Sequence, residues 1–344
     1  MGVATSTYSI WIAAAFGMTA LWALVVIVNK RVLAYVDPLA VNFFVRIAAI
    51  VGLILITVPL TVLRLWDNGF GINAAAAGWM ALAAIATWLI AFTAYYYALR
   101  GARVAVVAPI CSTDPLWTAL FAWLILGAAF GGLTFAGMAV AMAGVLLITH
   151  WMESGDEAEA GALAGAAHGD VLPGPAQGGA PATPGAQSGG PASQSGRLRL
   201  VALAMIAAAG WGLGPIFVAL AYGAYGKPTA TMMLESQALG MLMLGAVLLA
   251  RRRPLVTRRL STAERRRAAL LLVAAGLLEA AVSVLFFLSI AALGPVLTML
   301  IMATTPVFTI VFGVAFLRER VAPRLALAAL VTVAGVMLAT LDGL

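Results

Sequence analysis

Long apolar stretches alternate with short polar ones along almost the whole chain. A helix that crosses a membrane needs about 20 largely apolar residues, and this length predicts the following helices: 8–28, 39–63, 74–99, 104–127, 131–151, 199–222, 229–250, 268–293, 295–317 and 322–341. Most connections between them are short. We therefore expect successive helices to be antiparallel neighbours.

The composition agrees with a protein that crosses the membrane many times. Of the 344 residues, 63% are hydrophobic and only 10% are charged, and the mean hydropathy is +1.04. The net charge of +7 does not indicate nucleic-acid binding, because the basic residues lie in short runs between apolar segments, where they act as topology signals. Cys111 is the only cysteine, which excludes an intramolecular disulfide.

A segment of different composition separates two groups of five predicted helices. Residues 152–198 are rich in Gly, Ala, Pro, Ser and Gln. Such a segment buries too little apolar surface to fold. The sequence therefore predicts a disordered linker at 152–198 between a first unit, 1–151, and a second unit, 199–344.

The two units resemble each other at a nearly constant offset of 189 to 191 residues. The matching pairs are Trp22 and Trp211, Pro38 and Pro228, Pro115 and Pro306, and Gly144 and Gly335. Because five crossings are an odd number, the second unit is expected to lie inverted relative to the first. Carriers built from inverted repeats place the substrate site between the repeats, near the middle of the bilayer.

Several of these residues resemble the drug/metabolite transporter superfamily, specifically its ten-helix EamA-like branch. The residues that carry the resemblance are Ala20-Leu21-Trp22 with Asn29-Lys30, Asp37-Pro38 with Arg46, Tyr95-Tyr96-Tyr97, Asp114-Pro115, Thr305-Pro306 and Phe316-Leu317-Arg318-Glu319-Arg320. The resemblance implies an all-α membrane protein with ten transmembrane helices in two inverted five-helix repeats. At the end that aligns with Glu319, the first repeat reads Leu126-Gly127-Ala128-Ala129 and lacks the acidic residue.

The distribution of basic residues predicts the orientation. Of the 20 Lys and Arg residues, 17 face odd-numbered connections, two face even-numbered connections, and Arg46 lies inside a predicted helix. Because Lys and Arg of short loops stay in the cytoplasm, both termini are expected outside. Relatives are usually drawn with both termini in the cytoplasm, so the hypothesis is an inverted insertion, and the alternative is a miscounted helix.

Ionisable residues inside membrane helices usually face the interior of the bundle. The candidates are Arg46, Asp114, Glu235 and Glu279. Asp114 is followed by Pro115, which removes a helix hydrogen bond, so both residues favour a polar cavity there. Asp114 and Glu279 are the candidate proton-coupling groups, since a carboxylate removed from water is easier to protonate. The alternative is a structural ion pair, of Asp114 with Arg46 or Lys30, or of Glu279 with Arg46.

Helical spacing predicts two faces of a binding site. Glu279, Ser283 and Phe287 share one helix face, and Trp88, Phe92 and Tyr96 share another. Repeat symmetry places Trp22 and Trp211 on opposite sides of the same pocket. The predicted substrate-binding residues are Trp22, Asn29, Arg46, Trp88, Tyr96, Asp114, Trp211, Glu279 and Ser283. For the tyrosines at 95–97, an aromatic belt at the membrane surface is the alternative.

These residues favour a small substrate with a cationic or zwitterionic head and a modest apolar body. Cation–π contacts contribute about 0.5–2 kcal/mol each, enough for preference without trapping the ligand. The first hypothesis is a secondary transporter of small organic metabolites in the inner (cell) membrane, working by alternating access with proton coupling or exchange. ATP is not expected to drive it directly, because no phosphate-binding loop motif is present.

Two other functions fit parts of the pattern. An intramembrane enzyme would need a nucleophile with a base, paired carboxylates or a metal cluster, which two isolated histidines and one cysteine do not supply. A flippase for lipids or lipid-linked sugars would need a groove open to the membrane. No cofactor, metal or nucleic acid is expected. Membrane lipids are expected partners. Small residues in the fifth and seventh helices, such as Gly137 and Gly240, allow close helix approach, and a homodimer contact is the alternative role for them.

Overall fold

The computed structural model describes residues 2–33, 35–63, 69–101, 111, 113–144, 146–147, 150, 194–251, 260–305, 307–308, 311–312 and 323–340. These residues are almost entirely helical, as the apolar pattern predicts. Of the predicted linker, 152–193 lies outside the described residues, and 194–198 already belong to a helix.

The described helices of the first half run in the order α1 (Gly2–Val32), α2 (Pro38–Val62), α3 (Ala74–Ala84), α4 (Phe92–Gly101), α5 (Asp114–Phe121) and α6 (Gly132–Gly144). A π-helical segment, Ile85–Ala91, joins α3 to α4 without a break, and a second one, Ala122–Leu126, follows α5. Asp37 begins α2 by accepting a hydrogen bond from the Leu39 amide, and Pro38 takes a position where its missing N–H costs nothing.

The described helices of the second half are α7 (Gln194–Tyr225), α8 (Ala230–Arg251), α9 (Thr262–Leu293), α10 (Pro295–Met302) and α11 (Pro323–Thr340). Ser261 and Glu264 form a reciprocal cap at the start of α9. Pro295 starts α10, as its position in the sequence indicates.

Six described helices are long and apolar enough to cross a membrane. They cover Tyr8–Asn29, Pro38–Val62, Ala74–Arg100, Leu198–Tyr225, Ala230–Arg251 and Thr262–Leu293. Shorter apolar helices occur at Asp114–Leu126, Gly132–Gly144 and Leu330–Ala339. The protein is therefore an all-α, multi-pass membrane protein, and the predicted fold class is confirmed.

Helices α6 and α11 show how the two halves are related. Gly137 lies against Ala339, and Gly144 lies against Thr332, so the numbering rises along one helix as it falls along the other. These equivalent helices of the two repeats are thus antiparallel, which agrees with inversion. A side chain at Gly137 would overlap the backbone of α11. Gly137 and Gly144 therefore allow two helices of one chain to approach closely, and a homodimer stays a prediction.

The third helix of the first half also packs antiparallel against a helix of the second half, α7. Trp79 stacks on Phe217 with ring centroids 5.9 Å apart. Ala91, which follows Trp79 in the chain, lies against Gly210, which precedes Phe217. The first helix of the second half is therefore antiparallel to the third helix of the first half. This contact brings the aromatic face of the third helix to the boundary between the halves.

Candidate functional site

Arg46 is the centre of the most polar buried cluster among the described residues. Its side chain on α2 is fully buried, pairs with Glu279 of α9 and donates from Nη1 to Oε1 of Gln237 on α8 at 2.7 Å. Gln237 in turn donates from Nε2 to Oγ of Ser283 at 3.0 Å. This network joins the first half to two helices of the second.

The Arg46–Glu279 pair settles two of the structural alternatives. The pair expected as the alternative role of Glu279 is present, and the alternative pairing of Arg46 with Asp114 is wrong. Removing two charges from water costs several kcal/mol per ion, and their close approach offsets that cost. In the described structure, Nε of Arg46 and Oε2 of Glu279 remain without a hydrogen-bond partner. One buried donor and one buried acceptor of the pair are thus unpaired among the described residues.

Aromatic rings cover the arginine. The guanidinium carbon lies 4.0 Å from the centroid of the Trp88 ring and 5.2 Å from that of Phe92. The Trp88 ring is itself held in place, because its Nε1 donates to Oγ of Ser236 at 2.7 Å. The cluster therefore combines a neutral ion pair with the π surface that a cationic group favours.

Phe92 connects this pair to a wider aromatic wall. Trp22 approaches its ring edge-on with centroids 5.7 Å apart, and Trp211 does the same at 5.2 Å. Tyr96, one turn further along α4, accepts a hydrogen bond at its hydroxyl from Nδ2 of Asn29 at 3.0 Å. The two tryptophans thus approach one ring from α1 and α7, and their place on opposite sides of one pocket stays a prediction.

The cluster joins corresponding parts of the two repeats. Arg46 and Gln237 are 191 positions apart, one more than the offset of 190 between Pro38 and Pro228, so their hydrogen bond joins positions that are equivalent to within one residue. Arg46 lies eight residues after Pro38 and Gln237 seven residues after Ala230, on helices that start from opposite ends of the bundle. Both side chains therefore meet near mid-depth, where inverted-repeat carriers bind their substrates.

Gln237 was missed by the sequence analysis, although its signal is present. Its position lies one residue after the repeat equivalent of Arg46. The π-helical segment Ile85–Ala91 carried no such signal. It displaces backbone groups from regular helix pairing, and Nδ2 of Asn42 donates to the Trp88 carbonyl at 2.8 Å. Asn42 therefore stabilises the turn that presents Trp88 to Arg46.

Asp114 lies apart from this cluster. It is the half-buried first residue of α5, and its Oδ1 is buried without a hydrogen-bond partner in the described structure. Helix α5 packs on α7, where Gly212 lies against Trp117. The side chain of Lys30, its other alternative partner, lies outside the described residues, so that alternative stays untested.

Among the described residues, turns occur at equivalent positions of the two halves. Thr113 precedes the start of α5, and Thr304 lies in a turn after α10 ends, again 191 positions apart. The Thr304 hydroxyl donates to the Ile301 carbonyl at 2.7 Å and so satisfies a group near the break. Discontinuous helices at corresponding positions are a feature of binding sites in inverted-repeat carriers.

The other predicted aromatic roles divide clearly. Tyr95 and Tyr96 are buried in the core, so the belt alternative is wrong for them, whereas the Tyr97 hydroxyl accepts from exposed Arg251 at 3.2 Å. Trp123 is 61% exposed on the outer surface.

Of the predicted binding residues, Asp114 alone falls outside the group formed around Arg46 and Phe92. Glu235 is half-buried on α8, and its Oε2 has no hydrogen-bond partner in the described structure.

The sequence pattern of the EamA-like transporter family matches this chain twice, over residues 9–150 and 198–341. The chain belongs to the EamA-like transporter family. This EamA-like protein is therefore a membrane transporter of the drug/metabolite transporter type. No curated protein matches it. One solved crystal structure shares the fold with a TM-score of 0.60 and 14% identity, over 98% of this EamA-like chain and 96% of the other.

Two serines on α9 provide a matched test of the polar network in this EamA-like protein. Ser283→Ala leaves Nε2 of Gln237 without its acceptor, so we expect a loss of about 1–3 kcal/mol in the free energy of unfolding. Ser289→Ala removes a buried hydroxyl without a partner in the described structure and should be neutral or stabilising. Unfolding of both purified variants in detergent measures the difference. Equal losses would contradict the network.

Proposed function

We propose that this EamA-like protein is a secondary active transporter that moves a small zwitterionic or cationic organic metabolite by alternating access. The observation that supports the proposal is the Arg46–Glu279 pair, which lies between the two halves, is buried among aromatic rings and keeps one free donor and one free acceptor. Residence in the cell (inner) membrane belongs to the same proposal, and substrate gradients determine the direction of transport.

The charge balance of the site favours a zwitterion over a simple cation. Arg46 and Glu279 neutralise each other, so a ligand that carries both charges keeps the buried site neutral. Its carboxylate would pair with Arg46 and its ammonium with Glu279. An uncompensated cation would compete with Arg46 for Glu279, which costs several kcal/mol if a buried charge is left alone. The rings of Trp88 and Phe92 suit the apolar body.

Alternating access requires contacts between the halves that open and close. One such contact joins the loop before α3 to the turn between α7 and α8. Thr229 Oγ1 donates to the Gly71 carbonyl at 2.7 Å, and the Gly71 amide donates to Thr231 Oγ1 at 3.0 Å. Gly71 has φ of 150°, a conformation that side chains disfavour. We infer that this contact closes one end of the path and breaks when that end opens.

Proton coupling is assigned to Asp114 and Glu279. Asp114 is separate from the ion pair and has a buried oxygen without a partner in the described structure. A carboxylate held away from water is stabilised when it takes up a proton or a cation. Glu279 would take up a proton when it is separated from Arg46 and no substrate ammonium replaces the guanidinium.

The aromatic wall predicts the effect of a single substitution on binding. Trp88→Leu removes the ring that holds the Arg46 guanidinium in place through a cation–π contact of about 0.5–2 kcal/mol. Because Arg46 is the proposed partner of the ligand carboxylate, affinity for zwitterionic amino acids should fall about 2- to 30-fold. Trp123→Leu, on the outer surface, should leave affinity unchanged. Ligand-induced shifts in melting temperature measure both. Equal shifts for wild type and Trp88→Leu across amino acids and quaternary amines would contradict the proposed site.

Asp114→Asn tests the coupling. In liposomes with an imposed pH gradient, we expect the variant to lose uphill uptake while it still exchanges substrate across the membrane. Asp37→Asn is the matched control, since Asp37 is at the surface and asparagine also caps a helix. Wild-type uphill uptake in Asp114→Asn would leave Asp114 with a structural role only.

A further inference from the structure

The outer surface of the bundle carries an apolar groove between α2 and α9, with a volume of about 330 Å³. Neither helix contributes a charged side chain to its walls. The larger lining residues are Phe44, Ile47, Val51, Leu272, Val273 and Leu277. Most of them are partly or fully exposed, so the groove is open to the surroundings along its length.

The groove lies beside the line of small residues along which α2 and α9 approach each other closely. A side chain at Gly276 would overlap Ala48, and one at Gly52 would overlap Ala280. The larger groove residues lie to one side of this line of small residues and form walls that nothing in the described structure fills. Both helices run in the same direction, because the contact partner of Gly52 follows that of Ala48 along α9.

Two arginines extend the groove at one end. On α9, the groove residues Ala269 and Val273 lie on one face of the helix. Arg265 and Arg266 lie on the same face, one turn closer to the start of the helix. Both arginines are exposed. Arg267 is also exposed but is rotated by about 100° from Arg266, which places it away from the groove.

We propose that this groove is a binding site for an anionic phospholipid of the membrane. One acyl chain lies along Phe44, Val51 and Leu277, and the phosphate pairs with Arg265 and Arg266 at the groove's end. Attraction between basic residues and anionic lipid headgroups amounts to about fivefold in affinity per residue, or about 30-fold for two. The apolar walls hold the chain, and the arginines select the headgroup.

The lining also distinguishes a resident lipid from a transported one. A flippase needs polar groups along the path of the headgroup, whereas the groove residues are apolar throughout. The lipid therefore stays in place. It contacts both helices that carry the Arg46–Glu279 pair, so its presence should stabilise their packing.

The test is native mass spectrometry of the full chain in detergent with an equimolar mixture of dioleoyl-phosphatidylglycerol and dioleoyl-phosphatidylcholine. We expect wild type to retain one phosphatidylglycerol in preference to phosphatidylcholine. The double variant Arg265→Gln with Arg266→Gln should bind phosphatidylglycerol about 30-fold more weakly. Arg267→Gln, the matched control, should behave as wild type. Val273→Trp, which fills the groove, should lose lipid of either headgroup.

Four results would overturn the proposal. Wild type that retains both lipids equally has no headgroup site. An equal loss in Arg267→Gln and the double variant indicates a general basic surface instead of a site. Retention of phosphatidylglycerol by Val273→Trp shows that the chain lies elsewhere. Melting curves of each variant confirm that it is folded, and displacement by inorganic phosphate would show that only the phosphate is bound.

Discussion

The fold depends on pairing the charge of one buried arginine inside a membrane protein. Arg46 has no exposed surface, and an arginine cannot lose its charge at any ordinary pH. It therefore needs an anion at hydrogen-bonding distance, and Glu279 of the other half provides it. Since α2 and α9 belong to different repeats, this requirement holds the two halves in one register. The glycines at 52 and 276 allow the approach that the pair needs.

Repeat symmetry explains how one scaffold has produced a site with two different walls. Trp88 and Glu279 are equivalent positions, 191 residues apart, and so are Phe92 and Ser283. The first half supplies aromatic rings where the second supplies a carboxylate and a hydroxyl. Such a division suits a ligand with an apolar body and a charged head. The shared geometry of the repeats thus forms the scaffold, and the differences between their side chains give the two walls of the site different chemistry.

Much of this architecture could be predicted from the sequence. Hydropathy located the helices because lipid imposes about 20 apolar residues on each crossing, and helical spacing placed Trp88 with Phe92 and Glu279 with Ser283 on common faces. The choice of Glu279 over Asp114 as partner of Arg46 was not predictable. It depends on helix rotation and crossing, to which hydropathy is insensitive. The π-helical segment before Phe92 depends likewise on the partner Asn42 and on no local signal.

The central claim is that Arg46 and Glu279 stabilise the protein as a pair across the two halves. A double-mutant cycle with Arg46→Met and Glu279→Leu, followed by reversible unfolding in mixed micelles, tests it most directly. Each single change should lower the free energy of unfolding by about 3–5 kcal/mol, because it leaves a buried charge alone, and the double variant should lose less than either. Additive losses in the double variant would contradict the account.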